Sequence, residues 1–179
     1  QESYDKLVLA TGSQPILPDI EGMDLENVQK VKIFQDAQSV IDKINHEEIK
    51  KVVVVGAGYI GTELAEAFKR LGKESTLIEH GDTVLRSYYD DKFCKKMEDN
   101  LRDHGVNLVF NEEVVKLEGT DGKVNKVITD KGEYDCDMVI MSIGFKPNSS
   151  LAKDHLKLND KKAIVTDKHQ QTSDENVFA

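Results

Sequence analysis

KVVVVGAGYIGTELAEAFKRLG, Lys51–Gly72, decides the fold. It opens on a run of β-branched residues without alternation, which reads as a strand covered on both faces, as in a parallel sheet. A Gly-Ala-Gly-Tyr-Ile-Gly turn follows. Beyond it Ile60, Leu64, Ala67, Phe68 and Leu71 recur at helical period, and Gly72 stands where a glycine commonly ends a helix. STLIE, Ser75–Glu79, reads as a second strand. Strand, glycine turn, helix and strand form a crossover that is right-handed almost without exception. The expected fold class is therefore α/β, a Rossmann-type parallel sheet flanked by helices.

Working outward, residues 6–10 read as a short strand broken at Thr11-Gly12-Ser13, and Pro15 and Pro18 keep the next stretch extended. Residues 34–45 place Ala37, Val40, Ile41 and Ile44 on one helical face. Downstream, a loop at 81–89 leads to a helix at 90–104, with Phe93, Met97 and Leu101 as its apolar stripe and Gly105 as its stop. VNLVF, residues 106–110, is a third buried strand. EVVKLEG, KVNKVITD and KGEYD then alternate around Asp-Gly and Lys-Gly turns, the pattern of an antiparallel three-stranded meander. DMVIMSIG, residues 137–144, reads as a fourth parallel strand. A polar helix at 149–155, a strand at 163–166 and an apolar Val-Phe-Ala end complete the pass, and that end is expected to be a cut.

A chain of 179 residues suffices for one sizeable domain with added flanks. No apolar run is long enough for a membrane span and no cleavable leader is visible, so a cytoplasmic location is expected. A net charge of -9 argues against nucleic-acid binding. Cys94 and Cys136 are far apart and form no paired motif, so neither a metal site nor a redox disulfide is expected. Both read as small core fillers.

The chemistry gathers at the glycines. They follow a buried strand, open an apolar helix and are followed about 20 residues on by an acidic residue, Glu79, which is the context of a dinucleotide fingerprint. Gly56 permits the tight turn, Gly58 keeps side chains away from a pyrophosphate, and Gly61 lets helix and strand approach. The free N–H groups and partial positive charge of the helix start then face the phosphates. Three such glycines can also serve packing alone. Glu79 can accept hydrogen bonds from the adenosine ribose, roughly 1.5–3 kcal/mol each because the acceptor is charged. It would also repel the extra phosphate of NADP by about 4 kcal/mol at ~4 Å and an effective dielectric of about 20. NADH is thus favoured over NADPH. His80 and Arg86 could swing in to offset such a phosphate, or be plain residues of an exposed loop. Tyr59 and Glu63 share one helix face beside the nicotinamide half. Glu63 reads equally well as an ordinary carboxylate near a helix start, favourable by about 0.3–1 kcal/mol, and Tyr59 as a half-exposed aromatic.

With those residues assembled, the chain resembles the pyridine nucleotide-disulfide oxidoreductase family, in its branch of NADH oxidases, NADH peroxidases and coenzyme A-disulfide reductases. Four stretches carry the resemblance: YDKLVLATGSQPILPDIEG (4–22), VVVVGAGYIGTELAE (52–66), VIMSIGFKPNSSL (139–151) and TSDENVFA (172–179). Within the branch, EYDCDMVI and GFKPN point first to a flavin-dependent NADH oxidase. The resemblance implies that Ile60, Glu79, Tyr88 and Gly144 contact NAD alongside the glycines. It makes Tyr59 a gate over the flavin face, sets Glu63 near the flavin ring, and brings Thr11, Gly12 and Lys32 close to FAD. Residues 1–32 would then be a flank from an FAD domain, 33–144 the NAD(H)-binding Rossmann domain, and 145–179 a return segment.

The family's first glycine fingerprint, its upstream reactive cysteine and its C-terminal dimerisation domain have no match in these residues. The expected reading is an NAD-binding domain cut from a homo-oligomeric flavoprotein, binding NADH without turnover. In the parent, hydride would pass from NADH to FAD and then to oxygen. A coenzyme A-disulfide reductase or NADH peroxidase is the alternative, and a non-catalytic NADH-sensing module the remote one. Parted from an FAD domain, Leu7, Leu9, Val177 and Phe178 are expected to stand exposed.

Overall fold

The structure, a computed structural model, describes residues 2–45 and 48–179. The elements in chain order are β1 (Leu7–Val8), β2 (Ser13–Pro15), β3 (Val28–Lys30), α1 (Phe34–Ile44), β4 (Lys51–Val55), α2 (Tyr59–Arg70), β5 (Glu74–Glu79) and α3 (Asp91–Asp103). There follow β6 (Asn107–Phe110), β7 (Val114–Thr120), β8 (Lys123–Thr129), β9 (Glu133–Asp135), β10 (Met138–Met141), β11 (Phe145–Pro147), a 3-10 turn (Ser150–Ala152) and β12 (Val177–Phe178). They form two compact units. One runs to Ile16 and resumes at Phe145; the other is Leu17–Gly144.

The second unit has three layers, and the expected α/β architecture is present. Its centre is a parallel sheet in the order β3-β10-β4-β5-β6. Alternate residues of the central strands serve opposite faces. Val52, Val54, Leu77, Met138 and Ile140 pack with Val40 and Ile44 of α1, Ala65 and Phe68 of α2 and Leu101 of α3. Val53, Val55, Ile78, Val139 and Met141 pack against Leu117, Val124 and Val127 of the antiparallel meander β7-β8-β9. Burial on both faces is why these strands read as unbroken apolar runs.

Several elements differ from expectation. Val28–Lys30 is a fifth sheet strand, in register with Val139–Met141, and the compact unit that holds it begins at Leu17. In α2 the buried line is Gly61, Thr62, Ala65 and Phe68, with Leu64 packed beside it, while Leu71 is exposed: small residues join Phe68 in seating this helix on the sheet. In α3 the buried line is Cys94, Glu98 and Leu101, and Phe93 is 61% exposed. Glu98 tolerates burial because its carboxylate accepts from the Thr83 hydroxyl and lies near Lys95 and Arg102.

In the first unit β1 pairs with β12 in parallel and β2 with β11 in antiparallel register. The β1–β12 pair overturns the expected exposure of its apolar residues: Val177 is buried, and Leu7, Leu9 and Phe178 are half-buried. The polar helix expected at 149–155 contracts to a 3-10 turn, and the strand at 163–166 to an isolated bridge between Leu158 and Ile164.

Candidate functional site

The glycine turn lies where β4 ends between its neighbours β5 and β10, at the carboxyl edge of a parallel sheet where the strand order reverses. The Gly56 N–H donates to the Ile78 carbonyl at 2.8 Å, carrying the β5 ladder one residue past β4. Gly56 has φ 99°, and a Cβ there would stand 2.6 Å from the Ser142 carbonyl oxygen beyond β10. Ser142, which carried no signal in the sequence, closes this corner: its hydroxyl donates to the carbonyls of Val55 (2.8 Å) and Gly56 (3.0 Å).

Gly58 and Gly61 do different things. Gly58 is the residue before α2; no side chain caps the helix there, no acidic residue occupies its first turn, and a Cβ on Gly58 would meet nothing within 4 Å. The orphan N–H groups of a helix start therefore face open space. A Cβ on Gly61 would stand 1.8 Å from the Gly56 carbonyl oxygen, so only glycine allows α2 to sit this close to the turn.

Glu79 ends β5 with its side chain 13% exposed. Its Oε2 accepts the Ala57 N–H at 2.7 Å, and its Oε1 accepts the Gly81 N–H at 2.9 Å. His80 brings Nδ1 within 2.7 Å of Oε1. A carboxylate offers about four acceptor positions, so with three taken this one is held in place with a position on Oε2 left for a ribose hydroxyl. Arg86 is engaged elsewhere: it forks onto Asp82 at 2.7 and 2.8 Å and also pairs with Asp91. A cleft of about 310 Å³ beside the turn is lined in part by Val55, Gly56, Ile78, His80, Glu112 and Ile143.

The loop after β5 is tied to the same turn. Leu85, buried and at φ 55°, donates its N–H to the Ala57 carbonyl at 2.8 Å. That backbone is uncommon for a bulky side chain and marks a constrained point. The loop brings Tyr88 and Tyr89 to Tyr59, the first residue of α2. The Tyr59 ring lies 4.2 Å from that of Tyr88 and edge-on to Tyr89 at 6.1 Å. Its hydroxyl donates to the Tyr89 hydroxyl at 3.1 Å, and this bond raises the Tyr59 phenol above the ordinary tyrosine value. Tyr89 was not singled out from the sequence.

The structure thus brings Gly56, Gly58, Tyr59, Gly61, Glu79 and Tyr88 to one turn. Ile60 is half-buried in the first turn of α2, and Glu63 points to solvent one turn on. Gly144, at φ 105°, is exposed past β10. Lys32 is exposed before α1, its N–H held by Asp36 at 3.0 Å. Thr11 and Gly12 belong to the first unit. There Asn148 donates its side chain to the Thr11 carbonyl and its N–H to the Gly12 carbonyl, both at 2.9 Å, and the Thr11 hydroxyl donates to the Asn148 carbonyl at 2.6 Å. Gly12 has φ 69° and open space at its Cβ position. Among the described residues no cluster of side chains could hold a metal ion, and no helix is long and apolar enough to cross a membrane.

This geometry can hold a diphosphate on helix N–H groups and a ribose hydroxyl on one carboxylate. The family model for pyridine nucleotide-disulphide oxidoreductases matches residues 1–179. An NADH oxidase of Streptococcus pyogenes is 49% identical over 99% of this chain and 41% of its own length. A CoA-dependent NAD(P)H sulfur oxidoreductase of Pyrococcus abyssi is 42% identical over 98% of this chain and 39% of its own. The solved water-forming NADH oxidase from Lactobacillus brevis, bound to NADH, matches with a TM-score of 0.92 at 40% identity, over 99% of this chain and 39% of that one. The chain spans roughly two fifths of the length of these curated relatives.

Proposed function

The chain belongs to the pyridine nucleotide-disulphide oxidoreductase family, and on that premise we propose that its Leu17–Gly144 unit binds the adenosine and pyrophosphate of NADH. The N–H groups at the head of α2, reached past Gly58, take the pyrophosphate, and the Glu79 carboxylate takes the adenosine ribose. Ile60, Tyr88 and Gly144 line the cofactor's path; Tyr59 stands as the gate at the nicotinamide end and Glu63 as the carboxylate nearest the flavin. One observation carries this reading. Glu79 is bonded to the N–H of Ala57 inside the glycine turn itself, so the ribose acceptor and the phosphate donors are held as one rigid constellation.

We assign the unit that ends at Ile16 and resumes at Phe145 to the FAD-holding part of the whole protein. Within that unit Thr11 and Gly12, clamped by Asn148, supply the contact. Bound FAD would accept hydride from NADH and pass the electrons to oxygen, which makes the whole protein an NADH oxidase. This chain's own residues bind and orient the nicotinamide for that transfer. The 42% identity to the CoA-dependent sulfur oxidoreductase favours one second reading, in which the electrons go to a sulfur acceptor instead. Two buried free cysteines suit a reducing compartment, and we place the protein in the cytoplasm as a homo-oligomer.

The test is calorimetric titration of this chain with NADH and with NADPH at one salt concentration. NADH is expected to bind, with NADPH at least about ten-fold weaker because of Glu79. Equal affinities, or a preference for NADPH, would mean that His80 has overridden Glu79, and would favour the sulfur-acceptor reading. Failure of both to bind would sink the proposal.

A further inference from the structure

We propose that Tyr89 is a positioning residue: its hydroxyl latches Tyr59 in a resting place at the head of α2, and the nicotinamide half of the cofactor enters when that hydroxyl pair parts. The inference deepens the NADH-binding reading and rests on it.

The backbone on both sides of the pair is fixed. Tyr59 opens α2 directly after Gly58. On the loop, Leu85 is tied to Ala57 in the glycine turn, and its carbonyl accepts the N–H groups of both Tyr88 (2.9 Å) and Tyr89 (3.3 Å). On the other side of Tyr89, Asp90 caps α3 by accepting the Phe93 N–H at 3.1 Å. The two phenols are therefore presented to each other by a frame that has little freedom to change their separation.

The side chains themselves are not locked by burial. Tyr59 is 43% exposed and Tyr89 45%, and the Tyr89 ring leans on Phe93, itself exposed, at 6.1 Å. Ring contacts among exposed tyrosines permit sliding and tilting, whereas a hydroxyl pair at 3.1 Å selects one rotamer. The raised Tyr59 phenol is what donation to Tyr89 produces. A neutral, solvent-exposed hydrogen bond is weak enough for a ligand to open and strong enough to set a resting population.

Calorimetry with two ligands tests the latch. ADP-ribose carries the adenosine and pyrophosphate but no nicotinamide, so it does not need Tyr59 to move. Tyr89→Phe is expected to tighten NADH about two- to five-fold, the size of an exposed hydrogen bond removed from the resting state, and to leave ADP-ribose unchanged. The Tyr59→Phe/Tyr89→Phe pair should tighten NADH no further than Tyr89→Phe alone. In an alkaline absorbance titration, Tyr89→Phe should also let one remaining tyrosine ionise at lower pH than in the parent chain. Unchanged NADH affinity in Tyr89→Phe would overturn the latch. So would an equal shift for both ligands, which a purely structural role would give. If the unsubstituted chain binds neither ligand, the NADH-binding reading fails first, before any variant is made.

Discussion

A methyl group added at Gly58 meets nothing within 4 Å, whereas one added at Gly61 stands 1.8 Å from the Gly56 carbonyl oxygen. The two alanine variants should therefore separate binding from folding. Gly58 has φ -76°, which alanine adopts freely. Gly58→Ala is expected to keep the melting temperature or raise stability by about 0.4–1 kcal/mol, while weakening NADH about ten-fold by crowding the pyrophosphate. Gly61→Ala is expected to cost about 1–3 kcal/mol, each kcal/mol being roughly 2–4 °C in melting temperature for a chain of this size. Thermal melts and calorimetry on the two variants check this, and a Gly61→Ala melt equal to the parent's would show that α2 can ride off the turn. At this scale the turn glycines were legible because their backbone and packing requirements are written in residue type, and Glu79 was legible as the last residue of its strand. The partners Ser142, Ala57 and Tyr89 were not, since a serine hydroxyl, a main-chain N–H and a second tyrosine gain meaning only from what the fold sets opposite them.

The meander carries the clearest dependence on pH. Tyr134 in β9 is pushed up to about 12, first by burial and then by the bond its hydroxyl donates to Glu112 at 2.9 Å. Cys136, just beyond β9, is also pushed up to about 12, by burial and then by Asp137 and Asp135. Both ordinary values, 10.0 and 9.0, lie below the folded ones, so the native state keeps these protons longer than the unfolded chain. Their contribution is complete below about pH 9 and is lost as pH rises towards 12. The melting temperature should fall across that window, and Tyr134→Phe should remove the tyrosine's share of the fall. A melting temperature flat from about pH 9 to 12 would contradict it. Elements with strong internal pattern, β4, β5, β10 and the meander, were readable in the sequence. Val28–Lys30 was not: Val-Gln-Lys has no strand signature of its own and is recruited by the edge that β10 offers. The α3 face was misread because a charged Glu98 lies on the buried side while Phe93 lies outside.

On the scale of the whole chain, every member of both hydrophobic clusters lies between Leu17 and Gly144. Residues 17–144 expressed alone should therefore fold and keep NADH affinity within about two-fold, since a core buried within one unit needs no second one. A circular dichroism melt without a cooperative transition would refute this. The other unit is built on two-stranded pairs, which are marginal in water by themselves. Weak local pattern of that kind explains why its helix and strand were overestimated from the sequence. The parallel pairing of Leu7 with Val177 also sets a timetable. On a ribosome adding about 5–20 residues per second, β1 waits roughly 10–30 s for a partner made roughly 170 residues later. By then every strand of the Leu17–Gly144 unit has been made, so that unit holds all its own partners while β1 still waits for the one that completes the other.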